Sequence, residues 1–234
     1  MAERAKIPLD FPGTLRRLNY LIERLQVAKY LEIGLGNGGT FDNVNAPEKV
    51  GVDPQPWNPA VRDLEGVHLL TSDEYFSRHR TASDKFDLIL LDGVHTAEQT
   101  YRDFVNSLCH AHPTTVWLID DVMPSDVFSA IPNHAEAIRL RRAAIGGTDS
   151  TWHGDVYKVI WMIKTFHGNM TLRTFRHGQP QALVYSSGAE KAATSALTLG
   201  EISNLSYIDT LARRAEYNLG DETEILVRDR DKKA

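Results

Sequence analysis

Four glycines follow a short apolar segment in the stretch Tyr30-Leu-Glu-Ile-Gly-Leu-Gly-Asn-Gly-Gly-Thr40. The apolar segment predicts a buried strand, and the glycines after it, Gly34, Gly36, Gly38 and Gly39, predict a sharp turn that leads into a helix. Because glycine has no Cβ atom, the backbone of such a turn can approach a ligand closely. The stretch is therefore a candidate site for a ligand of the nucleotide type.

A second predicted strand ends on an acidic residue. Val50-Gly-Val52 precedes Asp53, about twenty residues after Gly34, where an acid can bind the hydroxyl groups of a ribose. Gly34, Gly36 and Gly39 also satisfy the pattern G-x-G-x-x-G of dinucleotide sites. The glycine spacing alone therefore does not choose between ligands.

The charge around the turn favours one ligand. Glu32 lies just before the turn, and residues 31–47 include no lysine or arginine. A carboxylate there repels a pyrophosphate, which binds to cations or bare amides, but it suits a ligand with an ammonium and a sulfonium group. S-adenosylmethionine (SAM) carries both groups. We therefore expect SAM to bind at Glu32, Gly34, Gly36, Asn37, Gly38 and Asp53, with an NAD(P)-dependent oxidoreductase, or a turn without a ligand, as the alternatives.

Acidic residues also follow two later strands. Asp92 comes after the apolar run at residues 86–91. Asp120 is the last residue of the strand predicted at residues 115–120, and Asp121 follows it. The carboxyl ends of parallel strands meet at one edge of a sheet, where three carboxylates repel each other unless a cation lies between them. Oxygen ligands suit Mg²⁺, so we predict a magnesium site at Asp92, Asp120 and Asp121. The alternative is that Asp92 lies on the SAM side and that the other two cap a helix or a solvated turn.

The glycine turn with its following acid resembles the first two motifs of class I SAM-dependent methyltransferases. The three acids resemble the metal-dependent O-methyltransferases, both the catechol type and the sugar enzymes of antibiotic pathways. Asp92-Gly-Val-His95 is also similar to a group that includes cephalosporin-hydroxylase-like proteins. The resemblance covers residues 30–121 and implies Mg²⁺-dependent O-methylation of a small hydroxylated acceptor, such as a sugar or a catechol. A SAM-binding module without catalysis is a further alternative.

The resemblance also assigns provisional roles to single residues. His95 lies where the catechol-type enzymes carry a catalytic lysine, so it is the candidate general base beside Asp92. Its alternative role is a hydrogen bond to a backbone carbonyl or to the water shell of the metal. Ser72 and Asp73 follow the third strand, where methyltransferases commonly contact the adenine, although capping of a helix that begins near Glu74 explains them equally well.

The elements that position these residues follow from the apolar pattern. Strands are predicted at residues 29–33, 48–52, 67–70, 86–91 and 115–120, after an amphipathic helix at residues 14–26. Strands at residues 171–175 and 182–185 form an antiparallel hairpin. Together with the resemblance, these elements predict an α/β fold: a Rossmann-like, doubly wound, mostly parallel seven-stranded sheet that ends in a C-terminal antiparallel hairpin.

The rest of the chain is predicted to be helical or irregular. Helices are expected near residues 134–144, 156–166 and 199–217. The predicted divisions are an N-terminal helical segment (1–28), a methyltransferase domain (29–187) and a C-terminal helical tail (188–234). The polar and aromatic residues Trp152, His153, Asp155, Tyr157 and Lys158 are predicted either to line a substrate pocket or to form a surface loop.

Composition limits the partners. A net charge of −5 and a pI near 6.0 argue against binding a nucleic-acid backbone, and no apolar run approaches the length of a membrane span. The single cysteine, Cys109, excludes an internal disulfide and is expected to pack in the core, which suits a cytoplasmic protein. We expect a small-molecule acceptor as the partner, and the terminal helices offer a surface for a homo-oligomer.

Overall fold

The computed structural model describes residues 13–79, 84–188 and 194–228. Its strands form one sheet and are β1 (Lys29–Ile33), β2 (Glu48–Val52), β3 (Val67–His68), β4 (Phe86–Leu91), β5 (Ala111–Ile119), β6 (Met170–Phe175), β7 (Ala182–Ser186) and β8 (Leu219–Gly220). The strands run in the spatial order β3-β2-β1-β4-β5-β7-β6-β8. Every neighbouring pair is parallel except the two pairs that β7 forms with β5 and β6.

This topology confirms the predicted Rossmann-like, mostly parallel sheet with a C-terminal antiparallel hairpin. The expected number of seven strands is wrong, because the described residues form an eight-stranded sheet. The additional strand, β8, is two residues long and pairs with the outer edge of β6. A strand that short has no periodic pattern from which the sequence could predict it.

Helices cover both faces of the sheet, and they are α1 (Gly13–Leu25), α2 (Gly39–Asn43), α3 (Ser72–Arg78), α4 (Ala97–Ser107), α5 (His134–Ile145), α6 (Val159–Phe166), α7 (Leu199–Ser203) and α8 (Tyr207–Ala212). Two hydrophobic clusters lie on opposite faces: Phe104 of α4 and Trp161 of α6 belong to one, and Leu18 of α1 belongs to the other. Successive residues of β5 alternate between them, since Trp117 packs in the first cluster and Leu118 in the second. Burial on both faces explains the continuous apolar runs of the central strands.

The strand order reverses at β1, which lies between β2 and β4. In open α/β sheets, the crevice beyond the carboxyl ends of the strands at such a switch point is the usual ligand site. The backbone connects the two strand ends there, because Asp92 N donates a hydrogen bond to Ile33 O over 2.9 Å. The glycine turn after β1 and the acid after β4 therefore meet at one place.

The C-terminal tail differs from the prediction of one helix at residues 199–217. The structure has two short helices, α7 and α8, followed by a 3-10 turn at Arg214–Tyr217. Each helix begins with its own capping box, in which Thr198 pairs with Glu201 and Ser206 pairs with Asp209. The second box starts a new helix and breaks the first.

Two other expectations concern single features. Cys109 is exposed rather than packed in the core, and its thiol donates to Asn106 O. It lies in a 3-10 turn at Leu108–His110, after α4 has ended, so the helical periodicity that predicted its burial no longer applies. Within the described parts of the chain, no helix is long and apolar enough to cross a membrane.

Candidate active site

The turn after β1 requires glycine at its first position. Gly34 has a φ of +88°, and a Cβ atom there would overlap the backbone carbonyl of Asp92. Gly36 also has a positive φ, of +53°. These two residues let the turn close against the end of β4.

Asp53 holds this turn in place. Its Oδ2 accepts hydrogen bonds from the amides of Leu35 (2.9 Å) and Gly36 (3.2 Å), and its Oδ1 accepts one from Gln55 N (2.8 Å). Because each carboxylate oxygen can accept more than one hydrogen bond, these contacts leave acceptor capacity toward the crevice. Contact with a ribose remains a prediction for Asp53.

Glu32 is buried beneath the turn, with 1% of its surface exposed. The hydroxyl of Tyr30 donates a hydrogen bond of 2.7 Å to its Oε2. Burial raises the pKa of Glu32 to about 8, although this hydrogen bond and the charge of Lys49 oppose the shift. The carboxyl group is therefore largely protonated at neutral pH unless a cationic ligand stabilises its charged form.

A cavity of about 510 Å³, here called the donor cavity, opens beyond β1, β2 and β4. It is rich in acids, which are Glu32, Asp53, Asp73 and Asp92. Asn37 and Ser72 also line it, whereas Gly38 does not. Gly38 instead has a φ of +80° and lies against Val61, where a Cβ atom would clash with the valine side chain.

The predicted capping role of Ser72 and Asp73 is wrong. Thr71 is the N-cap of α3, and its side chain and that of Glu74 form a capping box. Ser72 and Asp73 are the first helical residues, and Gln99 Nε2 donates to Ser72 Oγ over 3.1 Å. Both residues line the wall of the donor cavity, where Asp73 also pairs with Arg102 over 2.8 Å.

Trp57 is a lining residue that the sequence reading missed. It is 83% exposed at the rim of the donor cavity, and its amide donates to Gly36 O over 2.8 Å. Its indole therefore forms a solvent-facing wall beside the glycine turn. The signal in the sequence was a tryptophan within the polar, proline-rich stretch after Asp53.

Asp92, His95 and Asp121 form a cluster beside the donor cavity, which Asp92 and His95 line. His95 Nδ1 lies 2.5 Å from Asp121 Oδ2, and His95 Nε2 lies 3.6 Å from Asp92 Oδ1. The ligand atoms of the three residues all lie within 4.8 Å of one another, as in a group that can hold a metal ion. The structure thus brings together three residues that the sequence singled out, one of them a histidine.

Asp120 lies beside this cluster with its own partners. Its Oδ2 accepts a hydrogen bond from Gln181 Nε2 (3.1 Å), and its Oδ1 accepts one from Asp121 N (2.8 Å). Gln181 is in turn held by Arg17, whose Nη1 donates to its Oε1 over 2.7 Å. The hydrogen bonds of Asp120 are therefore with Gln181 of the hairpin turn and with the Asp121 amide rather than with His95.

The charges of the cluster favour a cation. The pKa of Asp92 is raised well above its usual value, first by burial and then by the charges of Asp120 and Asp121. Burial and the charge of Asp121 also raise the pKa of Asp120 to about 6. Burial lowers the pKa of His95, but contact with the Asp121 carboxylate outweighs it, so the net shift is upward.

These residues fit a divalent cation. Two carboxylates and an imidazole are accepted metal ligands. His95 Nδ1 is buried and makes no hydrogen bond of acceptable geometry within the described residues, despite its short contact with Asp121. Crowded carboxylates repel each other, and the imidazole nitrogen beside them has no hydrogen bond. Such a set of ligand atoms suits a divalent cation.

The cluster from Trp152 to Lys158 divides between the two predicted roles. Trp152 stacks on His95, with ring centroids 4.9 Å apart, and His153 Nε2 lies 3.8 Å from Asp121 Oδ1. Asp155 instead accepts a hydrogen bond from Ala97 N at the start of α4, and Lys158 pairs with Asp155. The first two residues therefore face the site, and the others brace the backbone around it.

Residues 31–122 match the family model of a methyltransferase domain. This part of the chain is therefore similar to a methyltransferase domain. The match covers the glycine turn, Asp53 and the acids after β4 and β5, and it confirms the predicted resemblance to the class I enzymes. No curated protein sequence matches the chain.

Solved structures agree on the fold. An O-methyltransferase from Bacillus cereus in complex with SAH superposes with a TM-score of 0.50 at 16% identity, covering 76% of this chain and 83% of that one. The O-methyltransferase TomG from Streptomyces achromogenes, involved in tomaymycin synthesis and bound to SAM, gives 0.50 at 15% identity, covering 77% and 82%. At this identity the likeness establishes the methyltransferase fold alone.

Proposed function

We propose that the protein transfers the methyl group of SAM to a hydroxyl oxygen of a small acceptor, with the help of a divalent cation. The observation that carries this proposal is the cluster of Asp92, His95 and Asp121 beside the acid-lined donor cavity. A methyl acceptor that must first lose a proton needs a base or a Lewis acid at that place.

The donor cavity supports SAM because its charge is complementary to the ligand. SAM carries an ammonium and a sulfonium group, and four carboxyl side chains line the cavity with no lysine or arginine among the described lining residues. Glu32 lies beneath the turn, where a cationic ligand favours its ionised form. Asp53 holds the turn and offers its remaining lone pairs to the ribose. A dinucleotide would place a pyrophosphate in this cavity, where the acidic side chains would repel it.

Asp92 and Asp121 would hold the cation, with His95 and Asp120 beside them. Such a cation lowers the pKa of an acceptor hydroxyl as a Lewis acid. Carboxylate oxygens suit Mg²⁺, whereas a contribution from the imidazole would shift the preference toward Mn²⁺. Both ions therefore belong in the assay.

We assign His95 as the general base. The carboxylate of Asp121 lies against the imidazole, and its charge favours the protonated form. His95 takes the proton of the acceptor hydroxyl. The oxygen lone pair then forms a bond to the methyl carbon as the carbon–sulfur bond breaks, and S-adenosylhomocysteine (SAH) is the second product. Positioning of the acceptor and the methyl group supplies much of the remaining rate.

Calorimetric titration with SAM, SAH and NAD⁺ tests the cofactor. We expect both SAM and SAH to bind, with weaker binding in the variants Glu32→Gln and Asp53→Ala. Tight binding of NAD⁺ without binding of SAM would contradict the proposal. Binding of SAM without methyl transfer to any hydroxylated acceptor would favour a non-catalytic SAM-binding module instead.

A further inference from the structure

A second cavity, of about 410 Å³ and here called the acceptor cavity, is connected to Asp121 through one of its lining residues. It opens between the loop after β5, the hairpin turn before β7 and the C-terminal tail. His153 lines it, and His153 Nε2 lies 3.8 Å from Asp121 Oδ1. Asp121 therefore contacts His95 of the donor cavity on one side and His153 of the second cavity on the other.

The two cavities differ in charge. Four acids line the donor cavity, whereas the acceptor cavity has no carboxyl side chain among its described lining residues. It has one guanidinium group, that of Arg214. A chain with a net charge of −5 thus has no acid among the described residues that line this recess. This contrast selects against a cationic occupant.

Arg214 is available to a ligand. Its neighbour Arg213 pairs with Glu216 over 2.7 Å. Across residues 13–79, 84–188 and 194–228, by contrast, Arg214 forms neither an ion pair nor a hydrogen bond, and its side chain is exposed. A free guanidinium at a cavity wall is suited to bind a carboxylate or a phosphate through two parallel hydrogen bonds.

Two buried polar atoms lie at the same cavity. Tyr217 is 2% exposed and His153 is 8% exposed, and both line the cavity. Tyr217 Oη and His153 Nδ1 have no hydrogen-bond partner within the described part of the chain. Buried polar groups are nearly always hydrogen-bonded, so these atoms are candidates to bind polar groups of an occupant.

We propose that this cavity binds the methyl acceptor and that the acceptor carries an anionic group, a carboxylate or a phosphate, which binds Arg214. The inference rests on the proposed function, because it takes the group near Asp121 to be the hydroxyl that receives the methyl. Residues 207–217 of the tail supply Tyr207, Arg214 and Tyr217 to the cavity. The tail is thus the element that selects the acceptor.

Matched pairs of ligands test the charge preference. The probes are 3,4-dihydroxybenzoate against catechol, and glucose 6-phosphate against glucose, titrated calorimetrically into protein saturated with SAH. In at least one pair, we expect the anionic member to bind about tenfold more tightly or better, because a hydrogen-bonded ion pair in a recess is worth that much. The pair that shows the difference tells whether the anion is a carboxylate or a phosphate.

Variants connect the preference to one side chain. Arg214→Ala should reduce the difference within the pair to about threefold or less, and Arg214→Lys should retain part of it, because an ammonium keeps the charge but loses the planar pair of hydrogen bonds. The control is Arg62→Ala, an exposed arginine that lines neither cavity. It removes the same charge and should leave the preference intact.

Three results would overturn the inference: equal affinity for both members of each pair, a preference that survives in Arg214→Ala, or no binding of any anionic probe at about 10 mM. Binding of SAH is measured in the same experiment. If SAH fails to bind, the proposed function fails, while a preference for anionic probes that depends on Arg214 would still identify the cavity.

Discussion

His95 Nδ1 lies 2.5 Å from Asp121 Oδ2, and both residues have left-handed backbone conformations, with φ values of +54° and +62°. Residues other than glycine rarely adopt such angles, and each instance costs about 1–3 kcal/mol. The backbone is therefore strained at both His95 and Asp121, whose side chains contact each other. Strain of this kind persists where the surroundings hold it and is common at functional sites.

Asp121→Asn should separate stability from function. Asparagine tolerates the left-handed region well, and the substitution removes one negative charge from a crowded group of acids. We expect a higher melting temperature without metal, together with Mg²⁺ or Mn²⁺ affinity lower by at least about tenfold. SAM affinity should stay within about twofold, because Asp121 does not line the donor cavity.

The control for this variant is Asp63→Asn, an exposed acid far from the cluster in the sequence. It should change neither the melting temperature nor the affinity for metal. Unaltered metal affinity in Asp121→Asn would remove this residue from the set of metal ligands.

His95→Ala distinguishes a base from a metal ligand. If His95 is the general base, kcat should fall by roughly 10²–10⁴ while the affinity for the cation changes little. A parallel loss of metal affinity, measured by calorimetry without substrate, would show instead that the imidazole binds the cation. Trp152, which stacks on the ring, should lose its packing partner in either case, so the melting temperature serves only as a check on folding.

Glu32→Gln should change how stability depends on pH. Burial raises the pKa of Glu32 from 4.5 to about 8, so between these values the folded protein holds a proton that the unfolded chain releases. This group therefore makes the native protein less stable as pH rises from 4.5 to 8, by about 1.4 kcal/mol per pH unit at most. Glu32→Gln has no titratable group at this position, so this fall in stability with pH is absent from the variant.

Urea denaturation of the two proteins measures the difference. The advantage of Glu32→Gln in free energy of unfolding should grow from pH 5 to pH 8 and level off above pH 8. SAM affinity of the native protein should rise over the same interval, since a cationic ligand favours the charged carboxylate, and the variant should lose that rise. A difference in stability that is constant with pH would contradict the assignment.

Gly154→Ala tests the packing that supports His95. Gly154 has a φ of +60°, and a Cβ atom there would overlap the backbone carbonyl of His95. We expect a loss of about 2–4 kcal/mol in stability and weaker binding of the cation. Gly146→Ala is the matched control, because Gly146 has a similar φ of +73° but nothing within 4 Å of the added atom. It should lose about 1–3 kcal/mol from backbone strain alone, less than Gly154→Ala; equal losses would contradict the role of Gly154.

The central fold followed from local signals in the sequence. The strands β1, β2 and β4 were predicted to the residue. In β1 and β4, burial on both faces leaves a nearly continuous apolar pattern. Glycines after β1 and acids after β4 and β5 then placed the site, since parallel strands bring their carboxyl ends to one edge.

What the sequence did not predict depends on contacts between distant segments. Gln181 binds Asp120 across 61 residues, and His153 approaches Asp121 through a loop whose path no periodic pattern specifies. The position of Trp57 at the donor cavity depends on the hydrogen bond from its amide to Gly36 O, which no local sequence pattern predicts. The division of the tail into two helices could have been predicted from the sequence, because Ser206 and Asp209 have the spacing of a capping box.

The most direct test of the account is methyl transfer from isotopically labelled SAM to a panel of hydroxylated acceptors, measured before and after EDTA treatment. The account predicts that EDTA abolishes transfer and that Mg²⁺ or Mn²⁺ restores it, because in the proposed mechanism Asp92 and Asp121 would hold the cation that acidifies the acceptor hydroxyl. Full activity of the purified protein in excess EDTA would contradict it.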